Sequence, residues 1–235
     1  VARISPMEII CNDQVKLRAC LQREMQNASE QPSAWFQLAN ATEALCRHFA
    51  LNDLSPLGLS DEYKAGASAA GALMRYLSET QKNALEQMTS LRIYQGSETM
   101  LLDRNTRRNL ELTESIRGRS RKGSLLWLLD KTSTAMGGRL LRSWIEQPLV
   151  DEEKINRRLD AVGEFAQEHV LTMTLAEELQ GVYDIERLLS KVAYKSMNAR
   201  DCLSLCASLQ KVPKIRELLR EAKSQAVEEI RDSLD

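Results

Sequence analysis

The fold is decided by the stretch SLLWLLDKTSTAMGGRLLRSWIEQPLVDEEKINRRLDAVGEF, which covers residues 124–165. Its apolar residues recur every three or four positions, which is the spacing of an amphipathic helix. Residues of the types that cap helix N-termini precede each apolar run: Gly123 or Ser124, Ser133 or Thr134, and Asp151. Pro148 ends the middle run. The stretch therefore predicts three consecutive helices that are joined by short loops.

The helical pattern continues beyond this stretch to the end of the chain. Four further helix starts are predicted, at Glu168, Asp184, Asn198 and Pro213. Upstream, residues 91–94 and 99–102 are strand-like and flank Gln-Gly-Ser-Glu, which predicts a β-hairpin. Thr106 is the predicted cap of a short helix that follows it. We therefore expect a mainly α protein, in which residues 79–235 form a helical bundle opened by a short β-hairpin.

The pattern is different in residues 1–78, where we expect the C-terminal part of an α/β domain. Five segments are predicted here: a strand at 4–10, a helix from 15 capped by Asn12 or Asp13, a polar loop at 26–32, an amphipathic helix at 35–49 and a helix at 65–77. The last is Ala-Gly-Ala-Ser-Ala-Ala-Gly-Ala-Leu-Met and onward to residue 77. Its small side chains predict that another backbone packs closely against it.

Composition excludes several classes of protein. Of 235 residues, 43% are hydrophobic and 28% charged, so the chain is neither disordered nor membrane-like. The net charge of -1 excludes a globally basic nucleic-acid binder, although a local basic patch is compatible with it. Aromatic residues make up 5%, too few for a platform that stacks single-stranded bases.

The five cysteines and the hydropathy of the chain indicate its cellular location. Cys202 and Cys206 lie one helical turn apart on an apolar stripe, and we expect all five to be ordinary buried thiols; redox or metal roles are the alternative. This usage is typical of a reducing cytoplasm. The sequence has no signal peptide and no apolar run of about 20 residues, so no membrane partner is expected. The chain opens on Val1 and ends within a helical pattern, and we expect it to be part of a longer protein.

No residue is predicted to be catalytic, cofactor-binding or metal-binding. His48 and His169 are far apart and lack partners with metal-site spacing. No serine occupies a Gly-x-Ser-x-Gly elbow, and no lysine that precedes Ser or Thr follows a glycine, as a phosphate loop requires. The sequence therefore predicts a chain that is not an enzyme.

One local concentration of positive charge lies between Asp103 and Lys122. This stretch contains seven basic and three acidic residues. Four of the basic residues, in a segment interrupted by glycines, are candidates for contact with DNA phosphates: Arg117, Arg119, Arg121 and Lys122. The alternative is a solvated connection, with Arg107 and Arg108 paired to acids in the bundle. From sequence alone the alternative is favoured.

Several ordered blocks resemble the MutS family of DNA mismatch-repair proteins. They are LDRNTRRNLELT at 102–113, GSLL at 123–126, LDKT at 129–132, TAMGGRLL at 134–141, WI at 144–145, QPL at 147–149, RLDAV at 158–162, DIERLL at 184–189 and NARD at 198–201. The resemblance covers roughly residues 60–215. It implies that residues 1–78 are the end of a connector domain and that residues 79–235 are the first part of a core, or lever, domain.

The resemblance also implies a function. MutS-like proteins are homodimers in bacteria, close around duplex DNA with mismatches or small loops, and use ATP to become sliding clamps that recruit MutL. The mismatch-reading module and the ATPase domain, with its ATP and Mg²⁺, match no part of this sequence. We therefore expect a structural and allosteric segment with no cofactor of its own. Two alternatives are a helical protein–protein scaffold without a DNA role, and an enzyme whose site the sequence does not reveal.

Overall fold

A computed structural model describes residues 6–12, 28–80, 85, 88–91, 93 and 99–234 of the chain. The described residues are mainly helical, which confirms the expected fold class. Backbone contacts divide the chain into two compact units, residues 1–94 and 95–235. The domain boundary after residue 78 stays a prediction.

The first unit begins with two short parallel strands. Strand β1 (Ile9–Asn12) pairs with β2 (Ala28–Gln31), with Ile9 opposite Ala28 and Asn12 opposite Gln31. The prediction of a polar loop at 26–32 is therefore wrong for β2. Its sequence, Ala-Ser-Glu-Gln, lacks the apolar, β-branched composition of a strand, and the backbone hydrogen bonds to β1 determine its conformation. The helix predicted from residue 15 lies outside the described residues.

Two helices form the core of this unit. A 3₁₀ turn at Ser33–Phe36 leads into α1 (Leu38–Phe49), and α2 (Lys64–Thr80) packs against it. Ala41 and Leu45 of α1 are fully buried. A Cβ atom added at Gly71 of α2 would lie 2.4 Å from the Cα of Ala41. The predicted close approach of another backbone to this helix is confirmed.

The second unit consists largely of helices. Their bounds are α3 (Arg104–Asn109), α4 (Leu125–Leu129), α5 (Ala135–Glu146), α6 (Glu152–Gln167), α7 (His169–Gln180), α8 (Ile185–Ala193), α9 (Ala199–Leu218) and α10 (Gln225–Asp232). Ahead of α3, Thr99 forms an antiparallel bridge with Leu149, and the N–H of Met100 donates to the carbonyl of Pro148 at 2.8 Å. Of the predicted hairpin, Thr99 pairs with Leu149 and not with the segment at 91–94, and the described residues 91, 93 and 100–102 are not in strands; the turn lies outside the described residues.

Most of the predicted N-caps are confirmed. The side chains of Ser124, Thr134, Asp151, Asp184 and Asn198 each accept a hydrogen bond from the backbone N–H three positions later. At Asn198 the arrangement is reciprocal, because Asp201 accepts in turn from the N–H of Asn198. The local chemistry of single side chains therefore fixes where these helices begin.

Two predicted helix starts are wrong. Asp103, not Thr106, caps α3, because its carboxylate reaches the N–H of Thr106 at 2.6 Å. Pro213 lies inside α9 and does not begin a helix. The helix continues through the proline because its flanking turns are packed in the unit, with Ser208 and Ile215 both buried. Tertiary packing here outweighs the lost backbone hydrogen bond.

The buried cluster of the second unit lies around the end of α9 and α10. Ile215, Leu219, Ala222 and Val227 form it, and partly buried residues of α6 and α7 pack against them. Cys202 and Cys206, by contrast, are exposed, so the expectation of buried thiols is wrong for this pair. Their stripe on α9 lies away from the packed face, and Leu203 beside them is 71% exposed. Cys11 and Cys46 are partly buried, and Cys20 lies outside the described residues.

None of the helices in the described part of the chain combines the length and the apolarity needed to cross a lipid bilayer.

Candidate nucleic-acid interface

The basic segment lies on a loop that is closed at its base by backbone hydrogen bonds. After α3 the chain turns at Glu111, which has a positive φ of 48°. The N–H groups of Leu125 and Leu126 then donate to the carbonyls of Glu111 and Leu112, at 3.0 and 2.9 Å. Residues 113–124 therefore form a loop whose two ends are held side by side by these hydrogen bonds.

Further hydrogen bonds shape the tip of this loop. The N–H of Ser115 donates to the carbonyl of Ser120 at 2.9 Å, and the hydroxyl of Ser115 donates to the carbonyl of Arg117. Gly118 and Arg119 occupy the left-handed region, with φ values of 87° and 50°. Glycine adopts this conformation without strain, which explains its position at the turn. The loop backbone is thus defined by its own serines.

The loop holds four cations, and one of them is anchored. Arg121 forms an ion pair with Asp130, whose side chain is only 13% exposed. The hydroxyl and N–H of Thr132 hold the pKa of Asp130 below its ordinary value, and Arg121 lowers this pKa further. Asp130 therefore stays ionised and fixes Arg121 beside α4.

The other three candidate cations are free. Arg117, Arg119 and Lys122 are exposed, and they form no ion pair with any acid in the described part of the chain. Cations in this state lose little when they exchange water for a phosphate, because no existing pair has to be broken. The structure thus brings one anchored arginine and three cations that pair with no described acid onto one closed loop.

The alternative interpretation of this segment required Arg107 and Arg108 to be paired with acids. Among the described residues neither makes an ion pair, and the Nε of Arg107 is buried without a hydrogen-bond partner. That part of the alternative is wrong. The acids that could have served, Glu111 and Asp103, are used by the backbone: Glu111 accepts from the N–H of Ile116 at 2.5 Å, and Asp103 caps α3.

Sequence reasoning missed two residues that support the loop. Ser124 is predicted only as a cap, but it is buried and also donates to the carbonyl of Arg121 at 2.7 Å. Asp130 is not predicted at all. The available signal was the Asp-x-Thr spacing, since Asp130 accepts from both the N–H and the hydroxyl of Thr132, at 3.1 and 2.6 Å.

The two histidines belong to different units of the chain. His48 belongs to the first unit, where its Nε2 lies 2.7 Å from the carbonyl of Met88, and His169 begins α7 in the second. No group of three or more His, Cys, Asp or Glu residues with metal-site geometry occurs within the described segments.

Both units are similar to parts of the same known proteins. The family model MutS domain II matches residues 1–90, and MutS domain III matches residues 105–235. The chain is 38% identical over its whole length to the DNA mismatch repair protein MutS of Lachnoclostridium phytofermentans, covering 26% of that protein. The proteins of the same name from Symbiobacterium thermophilum and Acetivibrio thermocellus are 46% and 52% identical over 85% and 67% of the chain, covering 23% and 18% of their own lengths. The chain thus spans about a quarter or less of the length of these relatives.

Proposed function

This chain belongs to the MutS family of DNA mismatch-repair proteins, and from that premise we propose that it links DNA binding to ATP hydrolysis in such a protein. In this proposal residues 1–78 are the C-terminal part of the connector domain, and residues 79–235 are the first part of the core, or lever, domain. The segment carries out no chemical step itself. The observation that carries the proposal is the match to MutS domains II and III, in that order, along almost the whole chain.

The packing of the second unit suits the transmission of a conformational change. Three ion pairs join helices that are distant in sequence: Arg139 of α5 with Asp184 beside α8, Arg157 of α6 with Glu229 of α10, and Lys211 of α9 with Glu178 of α7. Stiff elements that pack in discrete arrangements can couple distant sites, whereas a loosely packed segment would absorb the displacement. Mechanical coupling is therefore a role that this part of the chain can perform.

The relatives are named as DNA mismatch-repair proteins, and the partners proposed for the longer protein follow from that family. They are duplex DNA with mismatches or small loops, a second copy in a homodimer, and MutL. ATP and Mg²⁺ are assigned to a domain outside the matched segment. We expect this segment to bind neither ligand, because its sequence lacks a phosphate loop. The proposed location is the cytoplasm.

Within this role, the loop at 117–122 supplies a contact to DNA phosphates that does not depend on base sequence. Arg117, Arg119 and Lys122 interact with phosphates through charge, and Arg121 positions the loop through Asp130. Such contacts hold a protein on the duplex but carry no information about mismatches. The loop is thus proposed to add affinity and not specificity.

The test measures DNA binding and ATP hydrolysis by the full 235-residue chain. We expect no ATP hydrolysis, and weak binding, with Kd of about 1 µM or higher, that is equal for matched and mismatched duplexes of one length. The combined replacement Arg117→Gln, Arg119→Gln and Lys122→Gln should reduce the slope of log K against log salt by about 2 to 3, because each phosphate contact contributes about 0.9.

A control variant that loses the same number of positive charges distinguishes an effect of the loop from an effect of net charge on DNA binding. Lys195, Arg200 and Lys223 are exposed cations of the same unit, and their replacement by glutamine should leave most of the slope in place. Equal losses in both sets would contradict a specific role for the loop. Nanomolar preference for a mismatch would contradict the proposed division of labour. No DNA binding even at low salt would favour a protein–protein scaffold.

A further inference from the structure

Two exposed thiols lie on one face of α9. Cys202 and Cys206 are four residues apart, so in a helix they share a face, with Cβ atoms about 5–6 Å apart. The turn before them is well anchored. Asn198 and Asp201 form a capping box, and Asp201 also accepts from the Nζ of Lys191 at 2.7 Å. The pair is therefore held at a fixed spacing on an accessible surface.

We propose that Cys202 and Cys206 form a binding site for a soft, thiophilic ion of the class of trivalent arsenic, which bonds to both sulfurs. Thiolates are the protein ligands that soft ions select. Leu209, one turn beyond Cys206 and also exposed, provides apolar surface for an organic group carried by the ion. This site is independent of the proposed role in DNA repair.

The spacing favours an ion over a disulfide. A disulfide needs Cβ atoms about 3.5–4.5 Å apart, which is closer than an intact helix holds residues i and i+4. A bridging atom removes this conflict, because two bonds of the length of a metal–sulfur bond, about 2.3 Å each, separate the sulfurs further than a direct bond does. The helix therefore keeps the thiols available for a bridging ligand.

The number of ligands favours a soft ion over zinc. Structural zinc takes four protein ligands. In the segments that the structure describes, no third His, Cys, Asp or Glu residue joins these two thiols in a group able to hold a metal. An ion that is satisfied by two thiolates and one non-protein substituent matches what α9 provides.

Phenylarsine oxide is the probe for this site. Its arsenic forms two As–S bonds, one to each cysteine, while its oxygen leaves as water with the two thiol protons. Arsenic stays trivalent and sulfur is not oxidised, so the step requires no further reactant. Because the second bond forms within one molecule, the complex should resist an excess of a competing monothiol.

The experiment uses the reduced 235-residue chain with one equivalent of phenylarsine oxide in excess glutathione. Trypsin cleaves after Arg200 and Lys211, and the resulting peptide contains Cys202 and Cys206 and no other cysteine. We expect mass spectrometry to find the phenylarsenic group on this peptide. Circular dichroism should show an unchanged helical content.

The control keeps the number of thiols and the helix face but changes their distance. Replacement Cys206→Ser combined with Gln210→Cys places the thiols eight residues, or about 12 Å, apart, beyond the reach of one atom. Gln210 is exposed, so the change should be tolerated. We expect at least a tenfold loss of affinity in this variant and in Cys206→Ser alone. Undiminished binding by either variant, or arsenic found on a peptide with Cys11, Cys20 or Cys46, would overturn the proposal.

Discussion

Gly71 of α2 lies against the backbone of Ala41 in α1, so close that a Cβ atom at position 71 would be 2.4 Å from the Cα of Ala41 and 2.5 Å from its carbonyl oxygen. Real Cβ atoms do not approach backbone this closely, so the contact between the two helices depends on the absence of a side chain. Ala41 itself is fully buried. This contact sets how closely the two helices of the first unit pack.

Replacement of Gly71 by alanine should therefore destabilise the first unit. Alanine favours helix by about 1 kcal/mol over glycine, but the forced separation of α1 and α2 should cost about 1–3 kcal/mol beyond that gain. Urea unfolding, followed by a probe in the first unit, measures the change.

The matched control is Gly66→Ala, five residues earlier in α2. A Cβ at Gly66 meets no atom within 4 Å, so only the helix propensity changes. This variant should be as stable as the parent or up to about 1 kcal/mol more stable. If both variants shift the urea midpoint in the same direction, the close contact at Gly71 is not what limits the packing.

Asp184 combines two roles whose loss can be separated by mutation. Its carboxylate accepts from both terminal nitrogens of Arg139, each at 2.8 Å, and from the N–H of Arg187 as the cap of α8. Asp184→Ala removes both interactions and should lower stability by about 1–2 kcal/mol. Asp184→Asn keeps a cap acceptor and should lose less. Thermal unfolding of the two variants gives the comparison.

Glu186 provides a control for the ion pair between Asp184 and Arg139. It also accepts from Arg139, at 2.6 Å, but its side chain is 69% exposed. Exposed ion pairs contribute little, so Glu186→Gln should change the melting temperature less than either Asp184 variant. A larger effect at Glu186 would show that the bidentate contact to Asp184 is not the important one.

Glu178 of α7 should make stability depend on acid pH. Hydrogen bonds from Lys211, at 2.8 Å, and from Lys214 hold the pKa of Glu178 below its ordinary value of 4.5. Above pH 4.5 this carboxylate is ionised in both states and its stabilisation is complete. As the pH falls below that value, the unfolded chain takes up the proton first and the stabilisation is lost.

The measurement is the melting temperature between about pH 6 and pH 3, across the ordinary range of carboxyl groups. Glu178→Gln should melt at a lower temperature than the parent at neutral pH, and the two curves should converge as the pH falls. Glu177→Gln, the exposed neighbour, should follow the parent throughout. If the Glu178→Gln curve runs parallel to the parent, the stabilisation does not come from the ionised carboxylate.

The sequence predicted much of the helical architecture because a helix start depends on residues that are close together in the sequence. Ser124, Thr134 and Asn198 each bond to a backbone N–H only three residues away, so their effect needs no other part of the fold. Residues whose role depends on distant partners could not be predicted in this way. Glu164 of α6 is an example: it accepts from the N–H groups of Lys223 and Ser224, which directly precede α10 and lie about 60 residues later in the chain.

For the loop at 117–122, too, the sequence determined some features and the tertiary structure determined others. The sequence determined which side chains are cationic and that glycines interrupt the segment. The tertiary structure decided that Arg121 is anchored to Asp130, whereas Arg117 and Arg119 pair with none of the acids that the structure describes. Pairing depends on where an acid lies in space, and spacing along the chain does not report that.

By itself, then, the sequence determined the helical class, most of the caps and the resemblance to the MutS family, all of which depend on residue types at short spacing. Only the tertiary structure decided that the polar segment Ala28–Gln31 is a strand, that Pro213 lies within α9, and that Cys202 and Cys206 face solvent. The physical reason is that burial and strand pairing are set by contacts between segments far apart in the chain, and these can outweigh the local preference of any residue.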